Sequence, residues 1–416
     1  MKKVILSFAL CVLTYLCISA QRYVGGDISL LPEYESAGAQ YKTHEGNTIS
    51  DLLPWLYNEG MNAMRVRLFV NPDDHKNKYP SKYDQNACQD LEYITPLCKR
   101  IVDDGFDLML DFHYSDTWAD PAKQWTPEAW KNLSDEQLYE KIYDYTKETL
   151  LVLKESGVTP AFIQPGNEIS YGMLWGAEDA SSSSLKKALM GNDANWTRFG
   201  KLLNQAIKAC KEVCPDAKIV LHTERVAQVN VLTNFYDQMK KLDVDYDIIG
   251  LSYYPYFHGD MSVLDKALSS LQTRYPEKNI MIVETGYAYK WEVPGTTHDL
   301  SSKWAYSDEG QDKFAKDLVT TLEKYENVNG LFWWWMEYNA YGTNLSGWYN
   351  APLFNSLDGR ATSALKTICS FAENSAVNEI EFENEEDTWY DIHGRKIKDL
   401  SIPGIKISRN KKILTK

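Results

Sequence analysis

A chain of 416 residues is long enough for one large domain with an appendage. With 44% hydrophobic and 25% charged residues it carries the apolar material of a full core, which excludes a disordered or low-complexity chain. A formal net charge of −14, with no basic patch before the C-terminus, excludes nucleic acid as a partner and leaves a neutral ligand indifferent.

Lys2 and Lys3 precede an apolar run from Val4 to Ile18, and Ser19-Ala20 supplies small residues before Gln21. That is the pattern of a secretory signal peptide over residues 1–20, which would carry the chain across the inner membrane to the periplasm or the cell surface. Cys17 would admit a lipid anchor, the one route to a membrane, but the bulky Tyr15-Leu16 before it do not fit a lipobox. Cys88, Cys98, Cys210, Cys214 and Cys369 remain after cleavage, an odd number that cannot all pair within one chain. A Cys88–Cys98 disulfide stays open at this point.

Eight β-rich runs follow: Tyr23–Ile28, Met64–Leu68, Asp107–Phe112, Phe162–Gly166, Lys218–His222, Ile248–Ser252, Ile280–Glu284 and Gly330–Trp334. Helical patterns alternate with them at Ile49–Asn58, Leu91–Asp103, Asp135–Glu155, Trp196–Val213, Val229–Lys241, Met261–Arg274 and Gln311–Tyr325, with a last one at Ala361–Phe371. Strands alternating with helices predict an α/β chain with a parallel sheet, and eight is the number that closes a (β/α)₈ TIM barrel. An open doubly wound sheet would announce a Gly-rich phosphate turn after its first strand, and Gly25-Gly26 does not fit one. The barrel is expected over 21–373, an acidic linker over 374–388 and a small β-rich tail over 389–416, with a hairpin turn at His393-Gly394. The tail resembles the short C-terminal sorting or attachment tails of some secreted Gram-negative proteins.

Polar and aromatic residues gather just after the strands, where the loops of a barrel converge on one mouth. Glu168 ends the fourth strand and Glu284 the seventh, across that mouth from each other. Hydrolysis of a glycosidic bond with retention needs two such carboxyls, one to protonate the departing oxygen and one to attack the anomeric carbon. A single Glu at a strand end is more often a salt-bridge or loop residue. Two of them, at strands four and seven with Asn167 before the first, favour Glu168 as acid/base and Glu284 as nucleophile. Glu168 is expected to start protonated and Glu284 to stay ionised beside a cation, Arg65 or Arg67, which share one parity. Substrate contacts are expected from Asp27, Arg65, Arg67, His113, Asp116, Trp118, Asn167, His222, Tyr253 and Trp333. Strict alternation would let only part of Trp333-Trp334-Trp335 line the site.

Several of these segments carry a family resemblance. Gly25-Gly26-Asp27-Ile28-Ser29, Arg65-Val66-Arg67-Leu68, the run Asp111–Pro121, Gly166-Asn167-Glu168-Ile169 followed by Gly172-Met173-Leu174-Trp175, and Val283-Glu284-Thr285-Gly286-Tyr287 resemble glycoside hydrolase family 53 from about Tyr23 to Phe371. The resemblance implies an endo-β-1,4-galactanase acting on pectin side chains and type I arabinogalactan, with Glu168 as proton donor and Glu284 as nucleophile. Some bacterial members of that family hold calcium in a loop after the seventh strand. Here Trp291–Asp299 offers His298 and Asp299 but no ladder of acids, so no metal or other cofactor is expected, with calcium left open. A polysaccharide is the expected partner of a monomeric enzyme. The rival readings are another retaining barrel hydrolase (a mannanase, cellulase or xylanase), a surface glycan-binding protein, and a metal-dependent hydrolase. The paired carboxyls with Asn167 speak against the second, and the lack of an HExxH or comparable cluster against the third.

Overall fold

The computed structural model describes residues 21–189, 191–339, 341–343 and 351–373, and the backbone of four strands between 389 and 415. The signal segment 1–20, the acidic linker 374–388, the turn at His393-Gly394 and Lys416 lie outside the described residues.

The strands β1 (Tyr23–Asp27), β2 (Ala63–Leu68), β3 (Asp107–Phe112), β4 (Phe162–Pro165), β5 (Lys218–Thr223), β6 (Ile248–Tyr253), β7 (Asn279–Thr285) and β8 (Val328–Trp333) close into one barrel in chain order. All neighbours are parallel, and β8 returns to β1 with Gly25 opposite Phe332. The helices at Leu91–Asp103, Asp135–Glu155, Val229–Lys241 and Met261–Arg274 have the bounds their periodicity predicts. Others begin earlier, where a side chain caps the first turn. Asn192 accepts from the Asn195 amide ahead of Asp193–Val213, and Ser307 accepts from Gly310 ahead of Asp308–Leu322. Short helices at Leu31–Ser36, Pro72–Lys78 and Pro255–His258 had no periodic signal to reveal them.

Two apolar layers hold the barrel. The larger lies between strands and helices; the smaller fills the barrel interior with Ala63, Met109, Phe162, Val220, Ile248, Met281, Val283 and Phe332. These inner residues fix which parity of each strand faces the axis. Above them toward the C-terminal mouth stand Asp27, Arg65, Arg67, Asp111 and Gln164, all buried.

The barrel closes only because glycine occupies tight positions. A Cβ on Gly25 would fall 1.7 Å from the carbonyl oxygen of Ala63 on the neighbouring strand. β7 departs from regular pairing: Leu251 of β6 lies opposite Ile282, but Ser252 lies opposite Glu284, so Val283 is an extra residue. Such a bulge re-aims the side chain that follows it. Val283 stays in the inner core and Glu284 also turns to the mouth.

All five described cysteines are free thiols, so Cys88 and Cys98 are not bonded to each other. Among the described residues no helix is long and apolar enough to cross a membrane. Beyond the barrel, the strands Trp389–Asp391, Lys396–Ile397, Gly404–Ser408 and Lys411–Thr415 form a separate antiparallel sheet, with Lys396–Ile397 at one edge and Lys411–Thr415 at the other.

Candidate active site

Glu168 and Glu284 converge at the C-terminal mouth of the barrel. Carboxyl oxygens of the two, and a ring nitrogen of His222, all lie within 4.8 Å of one another. The two carboxyls open onto a cleft of ≈ 360 Å³.

Glu284 is 6% exposed and held from two sides. Arg65 Nη2 lies 3.0 Å from its Oε1, and the Tyr254 hydroxyl donates to its Oε2 at 2.9 Å. Arg65 rather than Arg67 is therefore its cation. The same guanidinium donates to Asp27 Oδ2 (3.1 Å), Asp111 Oδ2 (2.8 Å) and Asn167 Oδ1 (2.9 Å). One planar fork with several donors suits that arrangement, and no ammonium group could reproduce it. Burial raises the Glu284 carboxyl, which sequence reasoning did not anticipate, while Arg65 and the Tyr254 hydroxyl pull it back.

Glu168 is only partly buried and follows β4 through Gly166 (φ 105°) and Asn167. Its own backbone is left-handed, φ 48° and ψ 53°, a conformation that costs a non-glycine residue on the order of 1 kcal/mol. Its Oε1 accepts from Ser252 Oγ at 2.7 Å, and Ser252 Oγ is 2.8 Å from His222 Nε2. His222 Nδ1 is 2.9 Å from Asn167 Oδ1, which closes a loop back to Arg65. Burial first, and the charge of Glu284 second, hold the Glu168 carboxyl well above the usual range. Both carboxyls are raised, and the adjacent cation makes Glu284 the first to ionise.

The cleft walls are aromatic. Trp118, Trp334 and Trp335 meet at one side, with Trp118 centred 6.4 Å from each of the others. Arg67 stacks on Trp118 at 4.8 Å, and the Trp118 indole nitrogen donates to Asp84 Oδ2 at 2.9 Å. His113 also lines the cleft; its Nδ1 accepts from the Ala119 amide at 3.0 Å. Burial lowers the His113 pKa, which favours the neutral ring. Tyr254, Tyr256 and Phe257 form the wall after β6.

Of the expected contact residues, Arg67, His113, Trp118 and Asn167 line the cleft beside the two carboxyls. Asp27, Arg65 and His222 are fully buried behind them and act by holding the residues in front. Those three are corrected from contacts to supports, and three further expectations are corrected as well. Tyr253 points away from the mouth: its hydroxyl donates to the Gly259 carbonyl at 2.9 Å, and Tyr254 is the residue facing Glu284. Trp333 is fully buried and donates to the Ala351 carbonyl at 2.7 Å, while Trp334 and Trp335 line the cleft. Trp335 escapes alternation because its backbone is left-handed, φ 54°. Asp116 lies outside the cleft, accepting from the Asn71 and Glu128 amides at 3.0 and 2.7 Å and pinning those loops. Tyr254 and Trp334 were within reach of sequence reasoning. Counting by twos from Ile248 and Phe332 of the inner core arrives at both.

Among the described residues, the loop left open to calcium gathers no set of acids that would suit a hard cation. Asp299 Oδ1 accepts from the Ser301 amide, and among the described residues no three carboxyl or imidazole groups gather there. In the gathering of Glu168, His222 and Glu284, both oxygens of Glu284, Oε1 of Glu168 and both nitrogens of His222 are already engaged by Arg65, Tyr254, Ser252 and Asn167.

An eight-stranded α/β barrel with two acidic groups poised across an aromatic, sugar-sized cleft at its C-terminal mouth defines a barrel glycoside hydrolase. Comparison with known proteins narrows the class. The model of glycosyl hydrolase family 53 matches residues 23–368, and the chain belongs to that family. It is 36% identical over 320 residues to a Niallia circulans protein described only as lying in the bgaB 5′ region, covering 75% of this chain and 82% of that one. It is 31% identical over 345 residues to arabinogalactan endo-beta-1,4-galactanase A of Emericella nidulans, covering 80% and 90%. The solved Ignisphaera aggregans GH53 catalytic domain superposes with a TM-score of 0.71 at 33% identity, covering 85% of this chain and 97% of that domain.

Proposed function

We propose that this chain is a secreted, retaining endo-β-1,4-galactanase that cleaves the β-1,4-galactan of pectin side chains and type I arabinogalactan. The observation that carries the mechanism is the spacing of the carboxyls. Oxygens of Glu168 and Glu284 lie within 4.8 Å, near the ~5–5.5 Å typical of double displacement and short of the ~6.5–9.5 Å that leaves room for a water in inverting enzymes. Family membership and the galactanase names of its relatives support the substrate.

In this reading Glu168 gives its proton to the glycosidic oxygen as Glu284 attacks the anomeric carbon, breaking the bond to the leaving sugar. Water then attacks that carbon, gives a proton to the Glu168 carboxylate and releases Glu284, so two inversions restore the β configuration. Arg65 and Tyr254 keep the nucleophile charged and oriented, and Trp118, Trp334 and Trp335 offer ring faces to the sugars.

Product analysis on linear β-1,4-galactan, with wild type beside Glu284→Ala, tests this. Galacto-oligosaccharides of initial β configuration from the wild type, and none from the variant, are expected. Initial α products would overturn retention. No products from either protein would discard galactan and move the assay to mannan, xylan and cellulose.

A further inference from the structure

Besides Asp84 and Asp120, another carboxyl lines the cleft and takes no part in the steps above. Glu224 follows β5 directly, two residues after His222, and lines the cleft with Glu168 and Tyr256. It is 7% exposed. Its Oε1 is fully engaged: it accepts from Ser170 Oγ and lies 2.7 Å from Arg225 Nε. Arg225 also donates to Ser170 Oγ at 3.1 Å and packs over the Tyr171 ring at 4.5 Å, so the plane of the carboxyl is set by a small rigid cluster. Its Oε2 is buried and has no hydrogen-bond partner among the described residues. A carboxyl oxygen locked in place without a donor is costly unless a ligand supplies one.

Its place in the barrel says which part of a ligand. β5 adjoins β4, whose end carries Glu168, whereas Glu284 stands on β7. The charge of Glu224 acts on Glu168, while the groups acting most on Glu284 are Arg65, Asp111, Tyr254 and Asp27. Oε1 of Glu224 bonds Ser170, two residues past Glu168, so Glu224 stands beside the acid/base, on the arc of the barrel that runs from β4 to β7. In the double displacement the transferred sugar lies over the nucleophile and the leaving sugar lies past the acid.

We propose that Glu224 is an aglycone-binding residue, whose Oε2 accepts a hydrogen bond from a hydroxyl of the leaving sugar and so seats the glycosidic oxygen against the Glu168 carboxyl. The inference rests on Glu168 being the acid/base. It adds a consequence for the second step: a saccharide acceptor entering in place of water is held by the same oxygen, so Glu224 favours transfer to sugars over hydrolysis.

The test compares wild type, Glu224→Gln and Glu224→Asp on two substrates: a galactotetraose, and a dinitrophenyl β-galactobioside whose leaving group has no sugar hydroxyl and needs no proton. Glutamine keeps an acceptor toward Ser170 and Arg225 but presents an NH₂ where Oε2 was; aspartate keeps the charge but withdraws it. Above pH ~7, where the Glu224 carboxyl is ionised, both variants are expected to lose about 10- to 100-fold in kcat/KM on the tetraose, the worth of a hydrogen bond to a charged group. The aryl substrate should change far less, which also reports that the variants are folded. Unchanged tetraose cleavage, or equal loss on both substrates, would overturn the proposal. So would Glu224→Asp matching wild type while Glu224→Gln does not, because charge alone would then explain the effect. Should neither variant fold, Ser170→Ala, which unlocks the carboxyl, is expected to give the same split. Glu168→Ala run in parallel keeps the premises apart: equal loss on both substrates there would overturn the acid/base assignment whatever Glu224 does. If wild type ignores galactotetraose but cleaves another β-1,4-tetraose, that glycan replaces it and galactan fails without Glu224.

Discussion

At the scale of single residues, the site is a problem of crowding acids without losing them. Asp27, Asp111 and Glu284 share Arg65, and removing one partner of such a buried set leaves a charge that costs about 3–5 kcal/mol. Among the described residues no cation pairs with Glu168, and burial and Glu284 raise it, so at neutral pH it is the group able to give a proton. The sign of the pH dependence follows. Loss of activity on acidification reports protonation of Glu284, and loss on alkalinisation reports deprotonation of Glu168. Glu168→Ala is therefore expected to cut galactan hydrolysis by about 10³-fold or more while sparing the first step on activated aryl galactosides. Its aryl-substrate profile should lose the alkaline limb and keep the acid one. Rates measured across pH on both substrates check this, and an alkaline limb surviving in the variant would remove Glu168 from the acid role.

At the scale of elements, each strand delivers its residue by alternation, and the exceptions are built from backbone. Arg65 and Arg67 on β2, Asp111 on β3 and His222 on β5 all follow the parity of the inner core, and continuing it past the strand ends reaches His113 and Glu224. Glu284 needs the β7 bulge and Glu168 needs a left-handed turn, so the two groups proposed to react are those placed by departures from regular geometry. That is why the motif around each was legible in the sequence while the reason for its aim was not. Closure of the sheet depends equally on what is missing. Gly25→Ala would drive a methyl into the Ala63 carbonyl, a backbone atom that cannot rotate aside. It is expected to destabilise the barrel by more than about 4 kcal/mol or prevent soluble expression. Denaturant unfolding of purified protein reads this directly, and a midpoint like that of wild type would show that β1 can shift to make room.

At the scale of the whole barrel, buried acids set the pH of greatest stability. Burial raises Glu168, pushes Glu224 and Asp116 up to about 7, and pushes Glu337 up to about 8. Between the ordinary carboxyl range and these values the folded state binds more protons than the unfolded one, so stability falls as pH rises. Asp111, held low by Arg65 and His113, works in the opposite sense and loses its contribution on strong acidification. The melting temperature is therefore expected to peak near pH ~5 and to drop by on the order of 5 °C by pH ~8. Melting curves at pH 5, 6.5 and 8 check it, and a rise toward pH 8 would mean these acids are ionised in the fold. The sequence by itself determined the eight-fold alternation, the pairing of Glu168 with Glu284 at two strand ends and the family, because hydrophobic period and short motifs are local properties of the chain. Only the tertiary structure decided that Arg65 rather than Arg67 pairs with Glu284, that Tyr254, Trp334 and Trp335 rather than Tyr253 and Trp333 line the cleft, and that Glu224 Oε2 is left without a donor among the described residues. Those choices depend on which groups from distant strands meet at one mouth, and a bulge or a left-handed residue changes that meeting without changing the local pattern.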